Sequence, residues 1–164
     1  MRSKRKHSLL VPFCLLAIVG AAALIGWFVH MMAMQTNWKN DRLRLGGYFR
    51  EAELSGAKIS CNGTTLDADE RILGYYYNFL TFPKSMAVRR GVKAELSDAI
   101  VIELPRLTLY LTEAPDSIST CVFWTENGKP HSYQIGGSIS YSHLRTYFQN
   151  AVSYAARAQE QADA

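Results

Sequence analysis

Apolar residues follow three different patterns along this chain. The first is unbroken: Leu9 to Val29 reads LLVPFCLLAIVGAAALIGWFV, 21 residues without a charge. At about 1.5 Å per residue such a helix crosses a hydrocarbon core roughly 30 Å thick, so residues 9–34 read as a transmembrane signal-anchor helix. Pro12 falls in its first turn, where the missing N–H costs little. Trp27 and Trp38 lie towards its far end, where amphipathic aromatic rings favour the water–lipid boundary. Residues 35–47 then turn polar and finish on Gly46-Gly47, the pattern of a juxtamembrane linker.

The second pattern has the period of a helix. Residues 48–54 read as a helical turn or two. Ala57 to Cys61 follows as a short strand ended by Asn62-Gly63. Asp67 and Glu70 then form a capping box ahead of Ile72, Leu73, Tyr76, Phe79 and Leu80, which share one helical face up to Pro83. Gly74, inside that helix, weakens it. The same period returns near the end, where Leu144, Phe148, Ala151, Ala155 and Ala158 make the inner stripe of a helix over 141–159.

The third pattern alternates. Residues 85–95 make a weak strand and 99–104 a stronger one. Leu107, Leu109 and Leu111 alternate with Thr108, Tyr110 and Thr112, which gives one apolar face. Residues 118–125 and 130–135 flank Asn127-Gly128, the preferred pair for a type I′ turn, because both central residues need positive φ. An antiparallel hairpin is expected there. The sum is an α+β domain over 48–164, with an antiparallel sheet of four or five strands packed against helices. Its order of elements, with a helix before the strands, resembles cystatin-like and NTF2-like sheets; it also fits a small barrel with a terminal helix.

Charge changes this picture in one respect. The chain has 164 residues with 18 Lys and Arg against 14 Asp and Glu, a formal charge of +4. All 14 acids follow residue 40, and 14 of the bases follow Gln35, so the excess resides entirely in Arg2, Lys4, Arg5 and Lys6. A neutral domain excludes nucleic acid as the partner implied by bulk charge. The basic tail, residues 1–8, is expected to stay in the cytoplasm by the positive-inside rule, with the C-terminal domain across the cell membrane.

Three other fates for the N-terminal segment fit less well. Signal cleavage after Ala23 would leave LIGWFVHMMAM as an apolar leader. A lipoprotein needs small residues before its cysteine, whereas Val11-Pro12-Phe13 precedes Cys14. A pilin-like helix carries an acid near its start, and this run has none. Ala22 and Gly26 are spaced as a small-xxx-small pair, which leaves a homo-oligomer through the helix open beside the plainer reading of ordinary membrane-helix composition.

The candidate chemistry is sparse. Cys61 and Cys121 read either as a disulfide, which an oxidising compartment would preserve, or as two buried thiols. No Cys-x-x-Cys occurs and the histidines are scattered, so no metal ligands are assigned. Asp67-Ala-Asp-Glu70 fails as a calcium loop because Arg71 and Ile72 occupy positions that need a ligand and a glycine. Cys121 with His131 or His143 is a weak thiol–base pair, and Gly137-Ser-Ile-Ser140 is not a nucleophile elbow. Asn62-Gly-Thr64 matches the glycosylation pattern, which matters only in a pathway that glycosylates.

In Tyr75-Tyr76-Tyr77, Tyr76 is expected to point inward and Tyr75 or Tyr77 outward. These tyrosines and the basic run Lys84, Arg89, Arg90 and Lys93 form a candidate partner surface; the basic run reads equally as the guard of a sheet edge. No catalytic residue and no cofactor is assigned. The expectation is a single-pass anchored protein, with membrane lipid around 9–34, whose extracytoplasmic domain binds a protein or envelope partner. The alternative is an enzyme or small-ligand domain on a cystatin- or NTF2-like scaffold.

Overall fold

The structure, a computed structural model, describes residues 4–82, 86–93, 95–137 and 140–162, with side chains from Pro12 onward. Its elements in order are α1 (Lys4–Ser55), β1 (Lys58–Cys61), β2 (Thr64–Asp67), α2 (Glu70–Thr81), β3 (Met86–Arg90), β4 (Ile100–Leu104), β5 (Leu107–Glu113), β6 (Thr120–Glu126), β7 (Lys129–Gly136) and α3 (Tyr141–Ala162). The chain divides into two compact units, Met1–Thr36 and Asn37–Ala164.

The first unit is helical. It contains a stretch of α1 long and apolar enough to cross a membrane, and no residue of that stretch is buried by protein.

The second unit begins inside α1, which corrects the expectation of a linker over 35–47. Those residues are helical. From Asn37 onward their apolar members recur at helical spacing: Trp38, Leu45, Phe49 and Ala52 are all buried. The Gly46-Gly47 pair belongs to the same helix. Gly46 is where the Tyr77 ring of α2 comes close, and a Cβ there would lie 3.3 Å from its Cε2. Phe49 meets the same ring at a centroid distance of 5.8 Å. The glycine that looked like a chain breaker is a contact point between helices.

Among the described residues the sheet is antiparallel throughout, with seven strands in the order β2-β1-β4-β5-β6-β7-β3. It is open and larger than the expected four or five strands; its edges are one strand that was not expected and the weak strand expected over 85–95. One is β2, produced by the turn at Asn62-Gly63 (φ 50° and 77°). Lys58 pairs with Asp67 in the resulting hairpin. Asp67 is therefore a strand residue, and the N-cap of α2 is Asp69, whose Oδ1 accepts from the Ile72 N–H at 2.8 Å. The other edge is β3, paired with β7 through a bulge between Ala87 and Arg89.

Alternation assigns the faces. Ile59, Ile102, Leu109 and Trp124 lie in one cross-strand row, and Ile100, Leu111, Val122 and Tyr133 in the next. All eight are buried. The helices meet this face and each other: Trp38 of α1 contacts Tyr133 at a centroid distance of 5.1 Å, and Tyr76 of α2 donates to Leu144 O of α3 at 3.1 Å. Full burial of each such side chain contributes about 1.5–3 kcal/mol. Ala155 and Ala158, expected in the inner stripe of α3, are exposed, because its buried residues stop at Ala151.

Candidate functional site

A polar cluster of the second unit lies under α1. Asp41 falls within the buried stripe, between Trp38 and Leu45, and is only 6% exposed. Arg44 and Tyr48 follow at helical spacing on neighbouring faces. The β6–β7 hairpin supplies the rest. Trp124 pairs with His131 and Val122 with Tyr133, so alternate residues Trp124, Glu126, His131 and Tyr133 all face the helix.

Asp41 accepts at Oδ2 from the Tyr133 hydroxyl at 2.6 Å, with His131 Nδ1 3.0 Å from the same oxygen, and at Oδ1 from Arg44. A carboxylate only accepts, so the ionised Asp41 selects the tautomer with a proton on Nδ1. Arg44 also reaches Glu126 Oε2 at 3.2 Å, and Tyr48 donates to Glu126 Oε1 at 2.7 Å. His131 Nε2 stands 3.9 Å from Glu126 Oε2. The Trp124 indole stacks on the imidazole, with centroids 4.8 Å apart and planes 11° apart.

Two tyrosine hydroxyls are held in their neutral form. Burial pushes the Tyr133 phenol up, helped by its hydrogen bond to Asp41. Tyr48 is raised mainly by its bond to Glu126.

A histidine bonded to a carboxylate has the outline of an acid–base dyad. Here one ring nitrogen is bonded to Asp41, the other faces Glu126, and a ring face is covered by tryptophan. The imidazole is walled in, with its side chain 13% exposed. The arrangement fastens a helix to a hairpin. Its sequence signal was the 38-45-49-52 spacing through the supposed linker.

The cysteines do not meet. Cys61 and Cys121 are free and buried. Two strands, β4 and β5, separate β1 from β6. At about 4.8 Å per strand that places them roughly 14 Å apart, beyond the Cα limit of about 7 Å for a disulfide. They also face opposite sides of the sheet, since Cys61 shares the parity of Ile59 and Cys121 lies between Thr120 and Val122. Burial raises both thiols, Cys121 to about 11.

The pairing of Cys121 with His131 fails for a related reason. Cys121 lies opposite Gln134, and Trp124 is the residue opposite His131. His143 is bonded to the Ser140 hydroxyl at the start of α3, 2.9 Å away.

The proposed partner surface separates into parts. Tyr76 is fully buried. Tyr75 stacks on Tyr147 of α3, rings 3.6 Å apart and 9° from parallel. Tyr77 is engaged by α1 instead. Arg89 and Arg90 lie on the edge strand β3, with the Arg90 guanidinium 5.7 Å from the Tyr133 ring centre, and Lys93 is exposed beyond it. Lys84 and Ser138 lie outside the described residues.

Compared with protein-family models, with curated proteins and with solved structures, the chain matches none.

Proposed function

We propose that the chain is a single-pass membrane-anchored protein whose extracytoplasmic domain binds a protein or cell-envelope partner. The observation that carries the anchor is the state of the first unit. Its large apolar side chains from Phe13 to Val29 stand 58–76% exposed on a continuous helix. Left in water, each forfeits about 1.5–3 kcal/mol of burial; hydrocarbon around the helix removes that cost. The basic residues before the span favour a cytoplasmic N-terminus.

Binding is favoured over catalysis by the packing of the His131–Asp41 pair, whose imidazole is 13% exposed, with Nδ1 bonded to Asp41 and Nε2 turned towards Glu126 at 3.9 Å. The domain also exposes Met86, Val88 and Ile118 at 51–69%, apolar area suited to a partner.

A Cys14→Ser, Ser153→Cys chain tests the topology, because Cys61 and Cys121 are buried. A membrane-impermeant maleimide is expected to label Ser153→Cys in intact cells. Labelling only after lysis overturns the outward assignment. Gentle detergent extraction should recover the protein with a partner; recovery as a lone monomer at every salt concentration overturns the binding assignment.

A further inference from the structure

Neither a positive φ nor a close neighbour requires a glycine at Gly74. It lies mid-way along α2, where glycine costs about 0.5–1 kcal/mol relative to alanine. Its φ is not in the left-handed region, and a Cβ built on it would meet no heavy atom within 4 Å. A helix interior that keeps an unneeded glycine beside open space has backbone available for close approach.

That open space is a cleft of about 620 Å³, where Gly74 is joined by Tyr75, Asn78 and Arg71 from α2 and by Tyr147 from α3. Tyr75 and Tyr147 also border a second cleft of about 420 Å³, lined by Ser142, His143, Thr146 and Asn150 of α3. The stacked rings thus form a ridge shared by two shallow, open troughs. Tyr76 braces the ridge from beneath, edge-on to both rings at centroid distances of 5.8 and 6.1 Å. Tyr76 serves the core, being buried and bonded to Leu144 O. Tyr75 and Tyr147 remain half-buried at the surface.

We infer that this ridge and its troughs bind a neutral glycan chain. Aromatic rings offer apolar, polarised surface to the C–H faces of a sugar ring. The amides of Asn78 and Asn150 both donate and accept, as polyhydroxylated ligands require, and Thr146 Oγ1, which donates to Ser142 O at 2.9 Å, keeps lone pairs to accept. Charge argues against a polyanion: Asp69 and Glu70 stand beside Arg71 in the first trough, without the single-sign field that nucleic acid or anionic lipid needs. Two open troughs sharing one ridge suit a linear polymer better than a compact metabolite. A site for an envelope glycan rests on the outward placement proposed above.

The test uses the full chain in a non-glycosidic detergent, with chitotetraose, cellotetraose and maltotetraose as probes, followed by calorimetry and ligand-observed NMR. At least one tetrasaccharide should bind saturably, and Tyr75→Ala should weaken it by about tenfold or more. The discriminating variant is Gly74→Ala. It should raise the melting temperature and weaken the sugar, a divergence that a purely structural ridge would not produce. Three outcomes overturn the inference: none of the sugars binds, Gly74→Ala stabilises the fold with affinity unchanged, or a proline-rich peptide occupies the ridge where no sugar does. If Tyr75→Ala does not fold, Gly74→Ala decides alone. Failure of the sugars while Ser153→Cys still labels from outside removes the glycan and leaves the topology. Labelling only after lysis removes the topology whatever the titration gives.

Discussion

Two stretches of α1 share a backbone conformation and differ in what their side chains require. From Phe13 to Val29, apolar residues occupy every face and stand more than half exposed. From Trp38 to Ala52, Trp38, Leu45, Phe49 and Ala52 form one stripe at 1–2% exposure, with Leu43 outside it at 67%. The first stretch satisfies its backbone internally, which is what a hydrocarbon solvent demands, and any apolar side chain serves there. The second is helical because one face is buried against a sheet and a neighbouring helix, and there the identity and shape of each residue matter. One helix therefore holds two kinds of tolerance.

Truncation separates them most sharply. Trp38→Ala should destabilise the second unit by about 3–5 kcal/mol, the usual cost of removing a large buried aromatic. Leu16→Ala should leave denaturant unfolding of that unit unchanged, as followed by far-UV circular dichroism in detergent. Equal losses from the two variants would refute the division of the helix.

Asp41→Ala comes next, at about 3 kcal/mol, because it strands the Tyr133 hydroxyl and the His131 N–H away from water. The Arg44 part of that loss is small, since its side chain is 52% exposed and solvent screens it. Arg44→Ala should accordingly cost less than about 1 kcal/mol. A larger loss for Arg44 than for Asp41 in the same unfolding assay would show that the ion pair, not the buried hydrogen bonds, holds the helix.

The apolar stretch answers to polarity instead of shape. Leu16→Lys should raise the insertion cost by about 2.5–3.5 kcal/mol and shift protein from the membrane to the soluble or degraded fraction. Its unfolding in detergent should match the parent chain. Unchanged membrane retention would remove the lipid reading of this stretch.

The same contrast explains which elements could be read from the sequence. An unbroken apolar run needs no partner to be recognised. The 38-45-49-52 stripe was hidden by the polar residues around it and by two glycines, and its meaning depends on His131 and Tyr133, some 90 residues away.

The two Asn-Gly turns make the point within the sheet. Asn127-Gly128 and Asn62-Gly63 adopt nearly the same positive φ values. The first lies between alternating segments and announced a hairpin. The second is followed by Thr64–Asp67, an edge strand with no buried residue and so no alternation to read. At the other edge, the bulge between Ala87 and Arg89 breaks the period, so residues 85–95 were legible only as a weak strand. Tyr76 was legible because helical spacing alone dictates its direction. The stacking of Tyr75 on Tyr147 was not, because it depends on how α2 and α3 meet.

The smallest effect separates two adjacent glycines. Gly47 is exposed, and a Cβ there meets nothing within 4 Å. Gly47→Ala should stabilise the second unit by about 0.5–1 kcal/mol, through lower entropy in the unfolded chain and better helix propensity. Gly46 is buried under the Tyr77 ring, 3.3 Å from where its Cβ would lie. A side chain longer than methyl there must push that ring off Phe49, so Gly46→Leu should cost about 1–3 kcal/mol as overpacking. If both substitutions stabilised the unit, the Gly46–Tyr77 contact would be incidental and the helix would continue past it on propensity alone. Opposite signs one residue apart would mark residues 46 and 47 as part of a packed helix, where a linker would respond to both alike.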